Sequence, residues 1–273
     1  MKDKRKNNLH EACQKGHLNT VKYLINSGSD INLKNYHGET PLYNAGRYRQ
    51  LNIVKYLVEE GADINITTNF GTTVLHEAVK NNDLEMVICL LENNININST
   101  THIEQSPLHI ACNSGNIDIV KALIQYGADV NITKELTPLF WACDKGHLDI
   151  VKILVENGAN INIVNKMKQT PLLWAFDGNY YDIVDYLIHH NADYSMIMNS
   201  LMFEKIINNE IGLVRSELIT KYLYLKEVSP KLSYIEDNNI IEKTLIPRDI
   251  LLKICYESIS TDSNIKQLAL SKL

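Results

Sequence analysis

Apolar residues recur along residues 7 to about 195 in a fixed two-part pattern. The first part aligns as NNLHEAC, TPLYNAG, TVLHEAV, SPLHIAC, TPLFWAC and TPLLWAF, with leucines at Leu9, Leu42, Leu75, Leu108, Leu139 and Leu172. Subtraction gives spacings of 33, 33, 33, 31 and 33 residues. Counting from each leucine, offsets 0, +3, +4 and +7 fall on one face of an α-helix. Offset +3 is always alanine (Ala12, Ala45, Ala78, Ala111, Ala142, Ala175), a residue small enough for neighbouring helices to approach closely. The second part repeats Ile/Leu-Val-x-x-Leu-Ile/Val, as in Ile150, Val151, Leu154 and Val155, and predicts a second amphipathic helix. One such pair cannot bury its own apolar face, so the pattern predicts an all-α solenoid of stacked helix pairs.

Polar positions punctuate the pattern. Thr40, Ser106, Thr137 and Thr170 are placed to cap the first helices through a side-chain oxygen. Pro41, Pro107, Pro138 and Pro171 stand at the first helical position, where a missing N–H costs nothing. A short break such as Lys15-Gly16-His17 joins the two helices. The second helices end at Gly28, Gly61, Asn94, Gly127, Gly158 and Asn191, residue types that accept the left-handed conformation after a helix. An extended linker, for example 63–67, then leads into a projecting turn.

Helix, turn, helix and projecting hairpin with a 33-residue period and Thr-Pro-Leu-His-x-Ala resembles the ankyrin repeat. The resemblance implies short β-hairpin-like fingers between units. Residues 1–195 are expected to form the array, with six recognisable units. Residues 196–227 read as a degenerate, more charged capping unit whose Leu218 comes one residue late, and 228–273 as a non-repeat helical tail with Pro247 opening a helix. The family usually places glycine four residues before the leucine. Gly38 and Gly71 comply, whereas Glu104, Glu135 and Lys168 do not. The unit at Leu139 is two residues short, so the hairpin around Lys134 and Glu135 is expected to be truncated.

Composition adds little beyond class. The chain has 273 residues, 45% hydrophobic and 22% charged, with a formal net charge of -5, so bulk charge gives no attraction to nucleic acid. The basic run Met1 to Lys6 reads as a solvated tail. No apolar run reaches membrane-spanning length, and the N-terminus lacks a signal-peptide core. Cys13, Cys89, Cys112, Cys143 and Cys255 form no C-x-x-C pair, which points to a reducing, cytoplasmic setting, inside a host cell if the source is a virus or bacterium. The abundance of Asn, Ile, Lys and Tyr suggests an AT-rich genome.

No phosphate loop, zinc-protease motif, nucleophile elbow or kinase signature occurs. No catalytic residue, metal, cofactor or small-molecule substrate is expected. His10, His76 and His109 share one repeat position, and in the family that histidine bonds neighbouring units. Cys13, Cys112 and Cys143 share offset +4 and read as small core residues. Asp30-Ile31-Asn32, Asp63-Ile64-Asn65 and Asp129-Val130-Asn131 resemble the site that asparagine hydroxylases modify, or else carry a hairpin-bracing asparagine.

The expected activity is therefore non-enzymatic binding of a protein partner by a monomer, on a concave surface of finger tips and first-helix faces. Candidate contacts on the helices are Arg47 and Tyr48, Asp144 and Lys145, and the row Ile110, Trp141 and Trp174 at offset +2. Tryptophan is enriched at binding hot spots, but each could instead fill a groove between helices. Candidate tips are Tyr36, His37, Phe70, Ile103 and Met167, which either contact a partner or lie flat on a neighbouring unit. A second reading makes the chain a ubiquitin-ligase substrate adaptor. Residues 245–254, LIPRDILLKI, are similar to the F-box-like segments that end poxviral ankyrin proteins, with Ile-Pro for Leu-Pro and Asp249 for Glu.

Overall fold

A computed structural model of the chain describes residues 2–133 and 135–193, and of residues 2–8 the backbone alone. The chain divides into two compact units, residues 1–183 and 184–273, so the division falls within the last described helix. Twelve helices in six successive pairs occupy the described residues. They are α1 (Lys2–Lys15) and α2 (Leu18–Asn26), α3 (Pro41–Arg47) and α4 (Leu51–Glu59), α5 (Val74–Lys80) and α6 (Leu84–Leu91), α7 (Pro107–Ser114) and α8 (Ile117–Gln125), α9 (Pro138–Asp144) and α10 (Leu148–Glu156), α11 (Pro171–Asp177) and α12 (Tyr181–His189). The all-α expectation holds, and no strand occurs among the described residues. The expected capping unit 196–227 and tail 228–273 lie outside them.

Within residues 1–183 the first helices form one layer, each close against the next from α1 to α11, while the second helices touch one another less. The alanines at offset +3 explain the asymmetry. Ala45, Ala78, Ala111, Ala142 and Ala175 are completely buried, and no longer side chain holds those backbones apart. Leu9, Leu42, Leu75, Leu108, Leu139 and Leu172 are all buried beside them.

Thr40 and Thr170 accept a hydrogen bond at the N-terminus of α3 and α11, from Tyr43 N–H at 3.1 Å and Leu173 N–H at 3.2 Å. Thr137 departs from expectation. Its hydroxyl caps nothing and is buried without a partner, because Phe140 N–H is taken by the Thr137 carbonyl. The basic N-terminal run also departs: helix backbone starts at Lys2, which makes α1 14 residues long where the other first helices have 7 or 8. The other first helices begin at a Thr or Ser cap, which unit one lacks, so the helix continues toward the N-terminus.

Three places per unit require positive φ. After the second helices these are the expected Gly and Asn residues. The finger position is Gly38 and Gly71 at φ 76, but Glu104 at φ 60 and Lys168 at φ 58. The interhelix turn includes Arg49 at φ 59. A side chain there costs about 1–2 kcal/mol of steric strain that glycine avoids.

Four fingers share one geometry. In residues 35–39, 68–72, 101–105 and 165–169 the first N–H donates to the last carbonyl at 2.9–3.0 Å, closing a tight turn. Seven residues separate Asn32 from Thr40, Asn65 from Thr73, Asn98 from Ser106 and Asn162 from Thr170, but only five separate Asn131 from Thr137. That shortened loop shows no such closure among its described residues, and Thr133 stands at φ 68. Lys134 itself lies outside the described residues. Of residues 184–193, α12 ends with Ala192 N–H on the Leu187 carbonyl at 2.9 Å.

Candidate protein-interaction surface

The finger tips form a ridge fixed from below. Asn69 N–H donates to the His37 carbonyl at 2.9 Å, and His102 N–H to the Phe70 carbonyl at 3.0 Å, so successive fingers are joined backbone to backbone. The Asn69 amide also donates to the Tyr36 carbonyl at 3.0 Å. At the loop bases Asn32, Asn65, Asn98 and Asn131 each accept, through Oδ1, the N–H of the next unit's Asp63, Asn96, Asp129 and Asn160 at 2.7–2.9 Å. The Asp-x-Asn signature is thus an inter-unit brace. On this rigid base Tyr36, Phe70, Ile103 and Met167 are 96%, 68%, 74% and 79% exposed. They do not lie flat on their neighbours. His37 is exposed beside Tyr36.

The first-helix face differs from end to end. Arg47 donates to Glu39 Oε1 at 2.8 Å and lies 5.8 Å from the Tyr48 ring, leaving Tyr48 exposed. Asp144 and Lys145 pair at 2.8 Å, and that hydrogen bond raises the Lys145 pKa. At offset +2, Ile110, Trp141 and Trp174 are each half-buried. Trp174 packs edge-to-face on Phe140, with centroids 5.1 Å apart, and donates from Nε1 to Gln169 Oε1 at 3.1 Å. Units two and three hold polar Asn44 and Glu77 at the same offset, and neither forms an open polar surface. Asn44 and Glu77 are only 6% and 8% exposed. Tyr43 donates its phenol proton to Glu77 at 2.8 Å, and burial, then that carboxylate, raises the Tyr43 pKa. The sequence reading missed this pair, although Tyr43 and Phe140 stand where three other units have histidine.

Those histidines bridge units. The Nε2 of His10, His76 and His109 meets the carbonyls of Glu39, Gln105 and Leu136 at 3.0, 3.1 and 2.6 Å. Thr73 and Ser106 N–H donate to Nδ1 of His76 and His109, so Nε2 carries the proton. Burial lowers the pKa of both, that of His109 to about 4. Buried Cys13, Cys112 and Cys143 are held as thiols by desolvation, with Cys13 raised to about 12. Among the described residues no cluster of His, Cys, Asp or Glu could hold a metal ion, and no helix is long and apolar enough to cross a membrane.

Comparison with known proteins agrees with this architecture. The family model of ankyrin repeats in three copies matches at residues 1–68, 61–134 and 132–197. The crystal structure of the ankyrin repeat domain of Bcl-3, described as a member of the IkappaB protein family, is 26% identical, with a TM-score of 0.63 over 69% of this chain and 87% of that one. The human ASB11 ankyrin repeat domain is 28% identical, with a TM-score of 0.59 over 68% and 84%. A probable E3 ubiquitin-protein ligase of rice, Oryza sativa subsp. japonica, named XBOS33, is 48% identical over 40 residues, which are 15% of this chain and 8% of that protein.

Proposed function

The chain belongs to the ankyrin repeat family, whose repeats are protein–protein interaction modules, and on that premise we propose that it is a non-enzymatic scaffold that binds a protein partner along its finger ridge and first-helix face. The observation that carries the reading is the ridge itself. Four apolar tips stand exposed above loop bases that inter-unit hydrogen bonds hold in place, and an isolated domain gains nothing by exposing them. The helix-face part of the site is Arg47, Tyr48, Ile110, Trp141, Trp174, Asp144 and Lys145. The protein acts as a cytoplasmic monomer without nucleic acid, cofactor or small-molecule substrate.

Trp141 is the cleaner probe of the two tryptophans, because Trp174 already has Phe140 and Gln169 as partners. Trp141→Ala and Tyr36→Ser/Phe70→Ser should each lower the yield of a co-purified partner severalfold while the melting temperature moves by no more than a few degrees. Equal loss of folding and binding would assign these side chains to the core.

The second reading, a substrate adaptor of a ubiquitin ligase, is supported by the short similarity to the rice ligase and by the F-box-like residues 245–254, which lie outside the described residues. Proximity labelling with the full chain and with a version ending at Lys226 separates the two. Ligase adaptors recovered by the full chain alone select the adaptor reading; their absence from both leaves the simple scaffold.

A further inference from the structure

The polar pair at offset +2 in units two and three is buried without being satisfied. Asn44 and Glu77 hold the same position on α3 and α5, two helices packed side by side, and only 6% and 8% of their surfaces reach water. Asn44 Oδ1 is sealed off and accepts no hydrogen bond. Glu77 accepts the Tyr43 phenol proton at Oε1, and no other donor meets its carboxylate among the described residues. A carboxylate has room for several donors, and burying one with a single neutral partner is costly.

The chain's own cations do not make up the deficit. Glu11 holds the same offset in unit one, and there Lys15, four residues on, pairs with it at 2.7 Å. Four residues after Glu77 stands Asn81, whose amide donates instead to the Arg47 carbonyl at 2.9 Å. The Arg47 guanidinium donates to Glu39 Oε1 at 2.8 Å, and the Asn35 amide fills Glu39 Oε2 at 2.7 Å. Arg47 lies within the field of Glu77 as well, so one guanidinium serves two carboxylates. Lys80, three residues after Glu77, is exposed and bonds to neither of them.

These facts decide what fits. The open atoms, Glu77 Oε2 and Asn44 Oδ1, are acceptors, so the occupant is a donor. The carboxylates outnumber the guanidinium, so the donor is a cation. Among the described residues no group of His, Cys, Asp or Glu could hold a metal ion, which leaves an organic cation. So little of either residue reaches water that the cation must arrive on a slender stem. A lysine or arginine side chain has that form, an apolar stem with a charged head.

We propose that Glu77 and Asn44 form the binding site for one lysine or arginine side chain of the partner protein. The charged head donates to Glu77 Oε2 and, once the Asn44 amide turns about its soft terminal torsion, to Asn44 Oδ1. This proposal rests on the scaffold reading and narrows its first-helix face to one position and one partner chemistry.

The test selects linear peptides from a phage-displayed library on the full chain. Synthetic copies of the enriched peptides are titrated by fluorescence anisotropy against the wild type, Glu77→Gln, Asn44→Ala and Trp141→Ala. Enriched peptides should share a lysine or arginine, and norleucine in its place should weaken binding to the wild type about tenfold or more. Glu77→Gln should bind the parent peptide as weakly as the wild type binds the norleucine peptide, and should no longer tell the two peptides apart. Its amide oxygen still accepts from Tyr43, so its melting temperature should move little, and the norleucine peptide reads the same contact with the fold untouched. Asn44→Ala removes a buried orphan and places a better helix former in α3, so it should melt no lower than wild type yet bind severalfold more weakly. Peptides that lose affinity with Trp141→Ala while Glu77→Gln and norleucine change nothing overturn the site and leave the scaffold reading standing. If no peptide is enriched, or none loses affinity to any of these variants, both readings fail.

Discussion

Gly46→Ala decides whether sequence propensity or packing governs the contact between units two and three. Gly46 lies inside α3, where alanine is favoured over glycine by about 1 kcal/mol. Propensity alone therefore predicts stabilisation. The structure predicts the opposite sign. A Cβ at Gly46 would stand 2.3 Å from Val74 Cγ2, more than 1 Å inside ordinary carbon–carbon contact. Val74 opens α5 where four other first helices have proline and unit one has Asn8, and it is 2% exposed with a stiff β-branched side chain. Overpacking of this kind costs about 1–3 kcal/mol, so after the propensity gain Gly46→Ala should destabilise by about 1 kcal/mol. In a Val74→Ala background the clash is gone, and Gly46→Ala should stabilise by about 1 kcal/mol. The coupling energy between the two sites should be roughly 1–3 kcal/mol. Urea titrations of the four proteins, followed by circular dichroism and by the fluorescence of Trp141 and Trp174, give the cycle; equal slopes in urea are required, because repeat arrays can lose two-state behaviour. Stabilisation by the same amount in both backgrounds would show that Val74 does not occupy the space opposite Gly46.

Other expectations are equally direct. Glu104→Gly and Lys168→Gly each relieve left-handed strain and should raise stability by about 0.5–1 kcal/mol after the extra unfolded-state entropy of glycine, read as a higher urea midpoint. Ala111→Leu or Ala142→Leu should lower it by about 1–3 kcal/mol, since both alanines are fully buried in the first-helix layer; an unchanged midpoint would remove them from that interface. Acid should weaken the array through His109. Its folded pKa is lowered to about 4 from an ordinary 6.5, so the unfolded chain binds the proton first and stability is complete above about pH 6.5. As pH falls from 6.5 toward 4 the loss reaches roughly 3 kcal/mol, with His76 shifted in the same direction. His109→Gln should flatten the midpoint between pH 7.5 and 5, and an unchanged slope would refute the assignment.

Much of this was readable because the pattern repeats. The leucine spacing predicts the helix pairs, the alanines their close layer, and Gly or Asn after each second helix its left-handed end. Position-specific events were less legible. Thr137 has the sequence of a cap and makes none, since cap geometry depends on a local φ and ψ that the residue type does not set. The residue types of Glu104, Lys168 and Arg49 give no sign of positive φ, which the turn imposes on them; only register with Gly38, Gly71 and Gly16 marks the positions. Exposure of Tyr36, Phe70, Ile103 and Met167 could not be read either, as turn residues have no helical period to assign a face. The pair Tyr43–Glu77 is invisible to periodicity because its partners belong to different units at different offsets.

The histidine bridges run in one direction. His10, His76 and His109 each reach forward to the carbonyl directly before Thr40, Ser106 and Thr137, the residues at which the next unit's first helix starts. The folded earlier unit thus holds the starting point of the later one, and nothing in this contact asks the later unit to be folded first. Synthesis delivers the chain N-terminus first. Growth of the array can therefore proceed as templating, each finished unit presenting an imidazole N–H to the segment that emerges after it. Unit two reaches forward from that place differently, through the Tyr43 hydroxyl on Glu77 of α5, while unit five, with Phe140, has no hydrogen-bonding group there, so the templated hand-over is interrupted where unit six begins.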